Sequence, residues 1–124
     1  MTNSLALRIA GVFGFLGVAL GAFGAHSLKG LLAQNQTATI WEKAVFYHLI
    51  HAVMLYLLAG RTPLRRWPWF CFAVGIVLFS GSLYLLAVTT ARWLGAITPF
   101  GGVSFLVGWG CLLVCRNNLV ASKD

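Results

Sequence analysis

Four apolar stretches take up most of this 124-residue chain: Ile9–Ala25, Ile40–Ala59, Phe70–Val88 and Ile97–Cys115. A hydrocarbon core about 30 Å thick takes about 20 apolar residues to cross as a helix. Each stretch is close to that length, and little chain is left between them. Only 9% of residues are charged, against about 25% in an ordinary soluble domain, so there are too few polar side chains to wet a soluble surface. The expectation is a single all-α integral membrane domain over residues 1–124, four transmembrane helices in an antiparallel bundle. The second and third loops are short, which forces neighbouring helices antiparallel.

The first stretch has some marks of a signal peptide: Arg8 in front, an apolar middle, and Ala22 and Gly24 spaced like a cleavage site. It exceeds a usual signal core, however. Its removal would leave three spans and delete the richest glycine pattern in the chain. It is therefore read as a helix of the bundle.

The net charge of +7 would suggest nucleic acid in a soluble protein. Here it reads as topology, with no nucleic-acid partner. With four spans, the N-terminus, the middle loop and the C-terminus share one side, which holds Arg8, Arg61, Arg65, Arg66, Arg116 and Lys123. Lys29, Lys43 and Arg92 fall on the other. The positive-inside rule then puts both termini in the cytoplasm. Trp67 and Trp69 are expected at the inner interface, Trp41 and Trp93 at the outer one.

Span one is a glycine helix. Gly14, Gly17, Gly21 and Gly24 recur at three- and four-residue spacing and so share a face. Gly17 and Gly21 form a GxxxG pair, the pattern of close backbone packing between membrane helices. Gly101, Gly102 and Gly108 are expected to do the same in span four. Between the first two spans, Leu28–Ala33 is read as a short surface helix. Arg61-Thr62-Pro63-Leu64-Arg65-Arg66-Trp67-Pro68 is a basic turn whose prolines end one helix and start the next. Thr98 with Pro99 reads as the N-cap and first position of span four.

His48 and His51 lie three residues apart on one face of span two, about 12 and 16 Å below the outer surface at 1.5 Å per residue. Ionisable groups at that depth are costly and are functional candidates by default. Depth matching on antiparallel helices puts Ser82 and Tyr84 near His48, and Ser80 near His51. Tyr47 is one turn from His51. The expected result is a mid-membrane polar cluster of Tyr47, His48, His51, Ser80, Ser82 and Tyr84. Two readings of it stand: interhelical hydrogen bonding that sets register, or proton, ligand or metal handling. His26, at the outer end of the glycine helix where the last carbonyls lack intrahelical partners, is the outer-face candidate.

The chemistry for catalysis is thin. Two histidines on adjacent turns fall short of a zinc site, which takes three or four ligands. Cys71, Cys111 and Cys115 belong to the other end of the bundle and read as free, packed thiols. Glu42 is the one acid before Asp124, so no carboxylate pair exists for acid–base work. No nucleophile motif or phosphate-binding loop occurs. The expectation is a non-enzyme without metal or cofactor.

These pieces together are specific. Gly21-Ala22-Phe23-Gly24-Ala25-His26 in span one is joined by Trp41, Ala44, Tyr47 and His51 in span two. Phe79-Ser80-Gly81-Ser82-Leu83-Tyr84 follows in span three, then Thr98-Pro99, Gly101-Gly102 and Gly108-Trp109. On these residues, which touch all four spans, the chain resembles the domain-of-unknown-function 423 family of small bacterial inner-membrane proteins. Eukaryotic transmembrane protein 256 is similar to that family. One departure is Ala96, where the pattern has a proline, which leaves the start of span four less rigid. The resemblance implies a four-helix protein of the bacterial inner membrane and carries no activity with it.

Three functional classes follow. The first is a non-enzymatic membrane protein that interacts with other membrane components or binds a lipid or ligand. The second is a small homo-oligomeric transporter or channel using His48 and His51, although no carboxylate lies within a span. The third is an enzyme or cofactor carrier. The partners expected are the lipid bilayer, further copies of the chain and other membrane proteins.

Overall fold

The computed structural model describes residues 1–115; Arg116, Lys123 and Asp124, used above for topology and charge, lie outside the described residues. Among the described residues there are six α-helices, five of which, with a π-helical turn and a 3-10 turn, make four membrane-length rods. The first rod is α1 (Asn3–Ala25). A short helix, α2 (Lys29–Asn35), leads into the second rod, α3 (Ala38–Ala59). The third rod is built in three pieces: α4 (Arg66–Gly75), one π-helical turn (Ile76–Ser80) and α5 (Gly81–Thr89). The fourth is a 3-10 turn (Arg92–Ala96) followed by α6 (Thr98–Val114). At 1.5 Å per residue, the 23 residues of α1 reach about 35 Å, enough to cross a bilayer core.

The rods are not equivalent. In the most apolar window of α3, 39% of residues are buried, and 33% in that of the third rod, but only 17% in each of the outer two. The second and third rods therefore form the centre. α1 lies along α3, and α6 lies along α4 and the π turn. The exposed faces of α1 (Val12, Phe15, Val18) and α6 (Phe100, Leu106, Leu113) are apolar, as lipid contact requires.

Small residues decide where the rods touch. A methyl group on Gly17 would meet Leu49 Cδ2 at 2.6 Å and the His48 ring at 3.3 Å. One on Gly21 would meet Val45, and one on Gly24 would fall on the Trp41 indole. These three glycines admit the side chains of α3. Gly14 does not join them. It lies about 60° round the helix from Gly17 at 3.6 residues per turn and has nothing within 4 Å of its missing side chain. On α6, Gly108 receives Phe72, and a methyl on Gly101 would collide with the Phe79 backbone. Gly102 turns away and would touch only the Phe79 ring, at 3.9 Å. Gly75, on α4, admits the Phe105 ring.

Helix ends are closed by side chains from neighbours. Asn3 Nδ2 donates to the carbonyls of Ala59 (2.9 Å) and Arg61 (2.7 Å), groups that a helix end leaves without intrahelical partners. This places the N-terminus and the Arg61–Arg66 loop at the same end of the bundle. At the other end Asn35 Nδ2 and Thr37 Oγ1 donate to the Ala87 carbonyl at 3.0 and 2.7 Å. Thr98 is not a cap: it is the first residue of α6, and its hydroxyl is bonded to Ser82 Oγ at 2.7 Å.

The four tryptophans expected near the interfaces differ in exposure. Trp67 and Trp93 are 79% and 68% exposed, as interface residues would be. Trp41 and Trp69 are 4% and 2% exposed. Trp41 fills the notch at Gly24 and donates Nε1–H to the Leu20 carbonyl at 2.9 Å. Trp69 packs into the apolar cluster with Leu55, Leu58 and Phe72.

Candidate functional site

Between the two apolar clusters, one around Leu55, Phe72 and Phe105 and the other around Leu32, Trp41 and Ala87, lies a polar layer at mid-depth. It is built on α3. His48 and His51 are both buried, but the 3-residue step between them turns their rings to different neighbours.

His48 points between α1 and α5. Nε2 lies 2.7 Å from the Phe13 carbonyl and Nδ1 2.9 Å from the Tyr84 hydroxyl. A carbonyl only accepts, so Nε2 carries the proton and Nδ1 accepts from Tyr84. The absent side chain of Gly17 gives the ring access to α1.

His51 points toward α6. Nδ1 lies 2.7 Å from the Tyr47 carbonyl, and Trp109 Nε1–H donates to Nε2 at 3.1 Å. By the same argument Nδ1 carries the proton. As neutral rings the two imidazoles hold opposite tautomers, and all four ring nitrogens are engaged. The His51 ring also stacks on Phe105, with centroids 3.7 Å apart and planes at 10°, and Tyr47 stacks parallel to it at 6.2 Å.

The remaining expected members are dispersed. Ser80 donates to the Ala44 carbonyl at 2.7 Å. Ala44 is seven residues, about two helical turns, nearer the start of α3 than His51, the level where depth matching placed Ser80. The register is set by Asn35 and Thr37 clamping the end of α5; Tyr84 still reaches His48 because its side chain is long. Ser82 bonds Thr98 and the Phe79 carbonyl and joins α5 to α6, away from both histidines. Tyr47 has a free hydroxyl among the described residues and lines a groove. The layer is therefore two separate histidine knots, each tying α3 to a different outer helix, with two serine ties beside them.

His26 ends α1. Its backbone N–H bonds the carbonyls of Ala22 and Phe23, and its side chain is exposed. No group of three His, Cys, Asp or Glu side chains comes together among the described residues.

Phe13, Phe105 and Trp109 are the partners that sequence reasoning did not assign. The signal for Trp109 is physical: an indole N–H at membrane depth needs an acceptor, and an unpaired imidazole nitrogen is one. Phe13 contributes only a carbonyl, which no side-chain pattern announces. The π turn also escaped the sequence. The Gly81 N–H reaches back five residues to the Ile76 carbonyl, and such turns recur at functional sites. Here it brings Phe79 against Gly101 and Ser80 against α3.

On one side this layer opens into a groove of about 430 Å³, lined by Tyr47, His51, Phe79, Gly102, Val103 and Trp109 among others. Its lining is largely aromatic and apolar, and Val103 and Leu106 on its rim are exposed.

The family model described as "Protein of unknown function (DUF423)" matches residues 20–102. The chain belongs to that family. The matched segment contains His26, both buried histidines and Tyr84, and stops short of Phe105 and Trp109. A UPF0382 membrane protein of Staphylococcus epidermidis is 47% identical over 103 residues, covering 80% of this chain and 84% of that one. The UPF0382 membrane protein YwdK of Bacillus subtilis is 45% identical over 106 residues, with 80% and 85% covered. The UPF0382 inner membrane protein YgdD of Escherichia coli is 41% identical over 119 residues, with 92% and 90% covered. No solved structure matches the chain significantly. With four membrane-length helices and relatives of this kind, the chain is a multi-pass inner-membrane protein of a family described as of unknown function.

Proposed function

We propose that the protein is a non-enzymatic membrane protein that seats a lipid-like chain in the groove beside His51. The observation that carries this reading is the groove itself. It is concave, apolar and aromatic, and it has one polar group uncommitted among the described residues, the Tyr47 hydroxyl. Ligand sites generally combine such an apolar wall with a few fixed polar groups. The wall is held stiffly by the Trp109–His51–Tyr47 hydrogen bonds and by the stack on Phe105. The ligand class that fits is an acyl or similar apolar chain bearing a carbonyl or hydroxyl for Tyr47. Proton transport through the histidines is less well supported, because both nitrogens of each ring are already spent on structural bonds.

The test is photo-crosslinking in proteoliposomes with a lipid carrying a diazirine on its acyl chain, mapped by mass spectrometry. Label should concentrate on Tyr47, Val103 and Trp109 relative to Val18 and Leu113, which are more exposed than any of the three. Gly102→Leu fills the groove and should remove that excess without impairing insertion or lowering the melting temperature. Label spread evenly over all lipid-facing positions would refute the site.

A further inference from the structure

A second recess lies outside this groove, at the end of the bundle that carries the basic loop. It measures about 190 Å³ and is lined by Met54, Leu57, Leu58, Arg61, Arg65 and Leu112. Four of these are apolar, and two are arginines. They span α3 from Met54 to just past its end, about 10 Å along the axis.

Both arginines spring from anchored backbone. Asn3 Nδ2 donates to the Arg61 carbonyl at 2.7 Å. The Arg65 carbonyl accepts the Trp69 N–H at 3.2 Å and so opens the first turn of α4. The guanidinium stems therefore start from fixed points on either side of one cavity. The only carboxylate side chain among the described residues is Glu42, near the opposite end of α3. Arg61, Arg65 and the neighbouring Arg66 have no acid of this chain within reach among the described residues. A concentration of positive charge at a membrane surface, without counter-charge among the described residues, suits an anion from outside.

We propose that this recess binds the phosphodiester of an anionic phospholipid. The phosphate bridges Arg61 and Arg65, whose planar guanidinium forks match phosphate oxygens two at a time. The first carbons of the lipid rest on Leu57, Leu58, Met54 and Leu112, and the acyl chains run out along the exposed surface of α3 and α6. Basic recesses between membrane helices at a bilayer surface are known to hold anionic headgroups. General attraction of a basic loop to a charged membrane needs no recess. The added claim here is a defined site with an apolar floor. It is separate from the groove at His51, so either proposal can fail without the other.

Native mass spectrometry of the purified full chain in mild detergent tests it, with phosphatidylglycerol and phosphatidylcholine of identical acyl chains added in equal amount. The parent should retain one phosphatidylglycerol in preference to phosphatidylcholine by about thirtyfold, the attraction expected from two arginines at a membrane surface. Arg61→Gln with Arg65→Gln should bring that preference below about threefold, whereas Lys29→Gln, at the far end, should leave it intact. Met54→Trp fills the floor without altering charge and should also lower retention; this variant keeps the test decisive if the double arginine variant does not fold. Inorganic phosphate at millimolar concentration should not displace the lipid. Equal retention of the two lipids by the parent would overturn the proposal, as would undiminished preference in the Gln and Trp variants. Full displacement by inorganic phosphate would assign the recess to a free anion instead of a lipid.

Discussion

Two adjacent glycines make the sharpest test of this packing, because the structure assigns them opposite responses to the same methyl group. A side chain on Gly101 would collide with Phe79 N and Cα. Those are backbone atoms, so no rotamer change relieves the clash and α6 has to move off the π turn. Overpacking of this kind costs roughly 1–3 kcal/mol. The displacement also strains two ties across the same seam: Ser82 to Thr98 at 2.7 Å and Ser104 to the Cys71 carbonyl at 2.7 Å. Hydrogen bonds between membrane helices are worth about 0.6 kcal/mol each on average. Against this stands about 0.5–1 kcal/mol gained by replacing a helical glycine with alanine. Gly101→Ala should therefore lose about 1–4 kcal/mol. Gly102→Ala meets only the Phe79 ring, at 3.9 Å, and should gain the helix-propensity term, about 0.5–1 kcal/mol. Equilibrium unfolding in mixed micelles of mild detergent and dodecyl sulfate, followed by circular dichroism, measures both. A Gly101→Ala protein as stable as the parent would refute the backbone contact, and equal losses at both positions would refute the assigned faces.

The histidine knots give two further outcomes. Nitrogen-15 spectra of histidine-labelled protein should show His48 as the Nε2–H tautomer and His51 as the Nδ1–H tautomer; one common tautomer would break at least one of the two bonding schemes. Trp109→Phe removes the donor to His51 and should cost about 0.6–1.7 kcal/mol of helix association. In a double-mutant cycle with His51→Leu, additive losses would show that the 3.1 Å contact carries no coupling.

Much of the candidate site could be anticipated from residue type and period. Charged and imidazole groups in an apolar span need partners, so Tyr84 beside His48 followed from depth and chemistry. The error at Ser80 arose because depth matching measures from helix ends. The true register is set by Asn35 and Thr37 on the carbonyls closing α5. The split into two knots could not be read either. Residues three apart lie on one broad face, yet about 60° of rotation is enough to aim one ring at α1 and the other at α6.

What this sequence determined by itself is the part governed by the solvent. Lipid cannot satisfy a bare backbone, so four long apolar stretches with few charges compel four crossing helices, whatever their mutual arrangement. Which small residues become contacts is a matter of pairs of surfaces, and only the tertiary structure decided it. Gly17, Gly21 and Gly24 have a helix opposite them while Gly14 does not. Gly75 matters only because Phe105 lies across from it, and Trp41 is buried only because Gly24 leaves a notch. Packing energy in a membrane comes from close fit between helices, and a fit belongs to two partners whose positions no single stretch encodes.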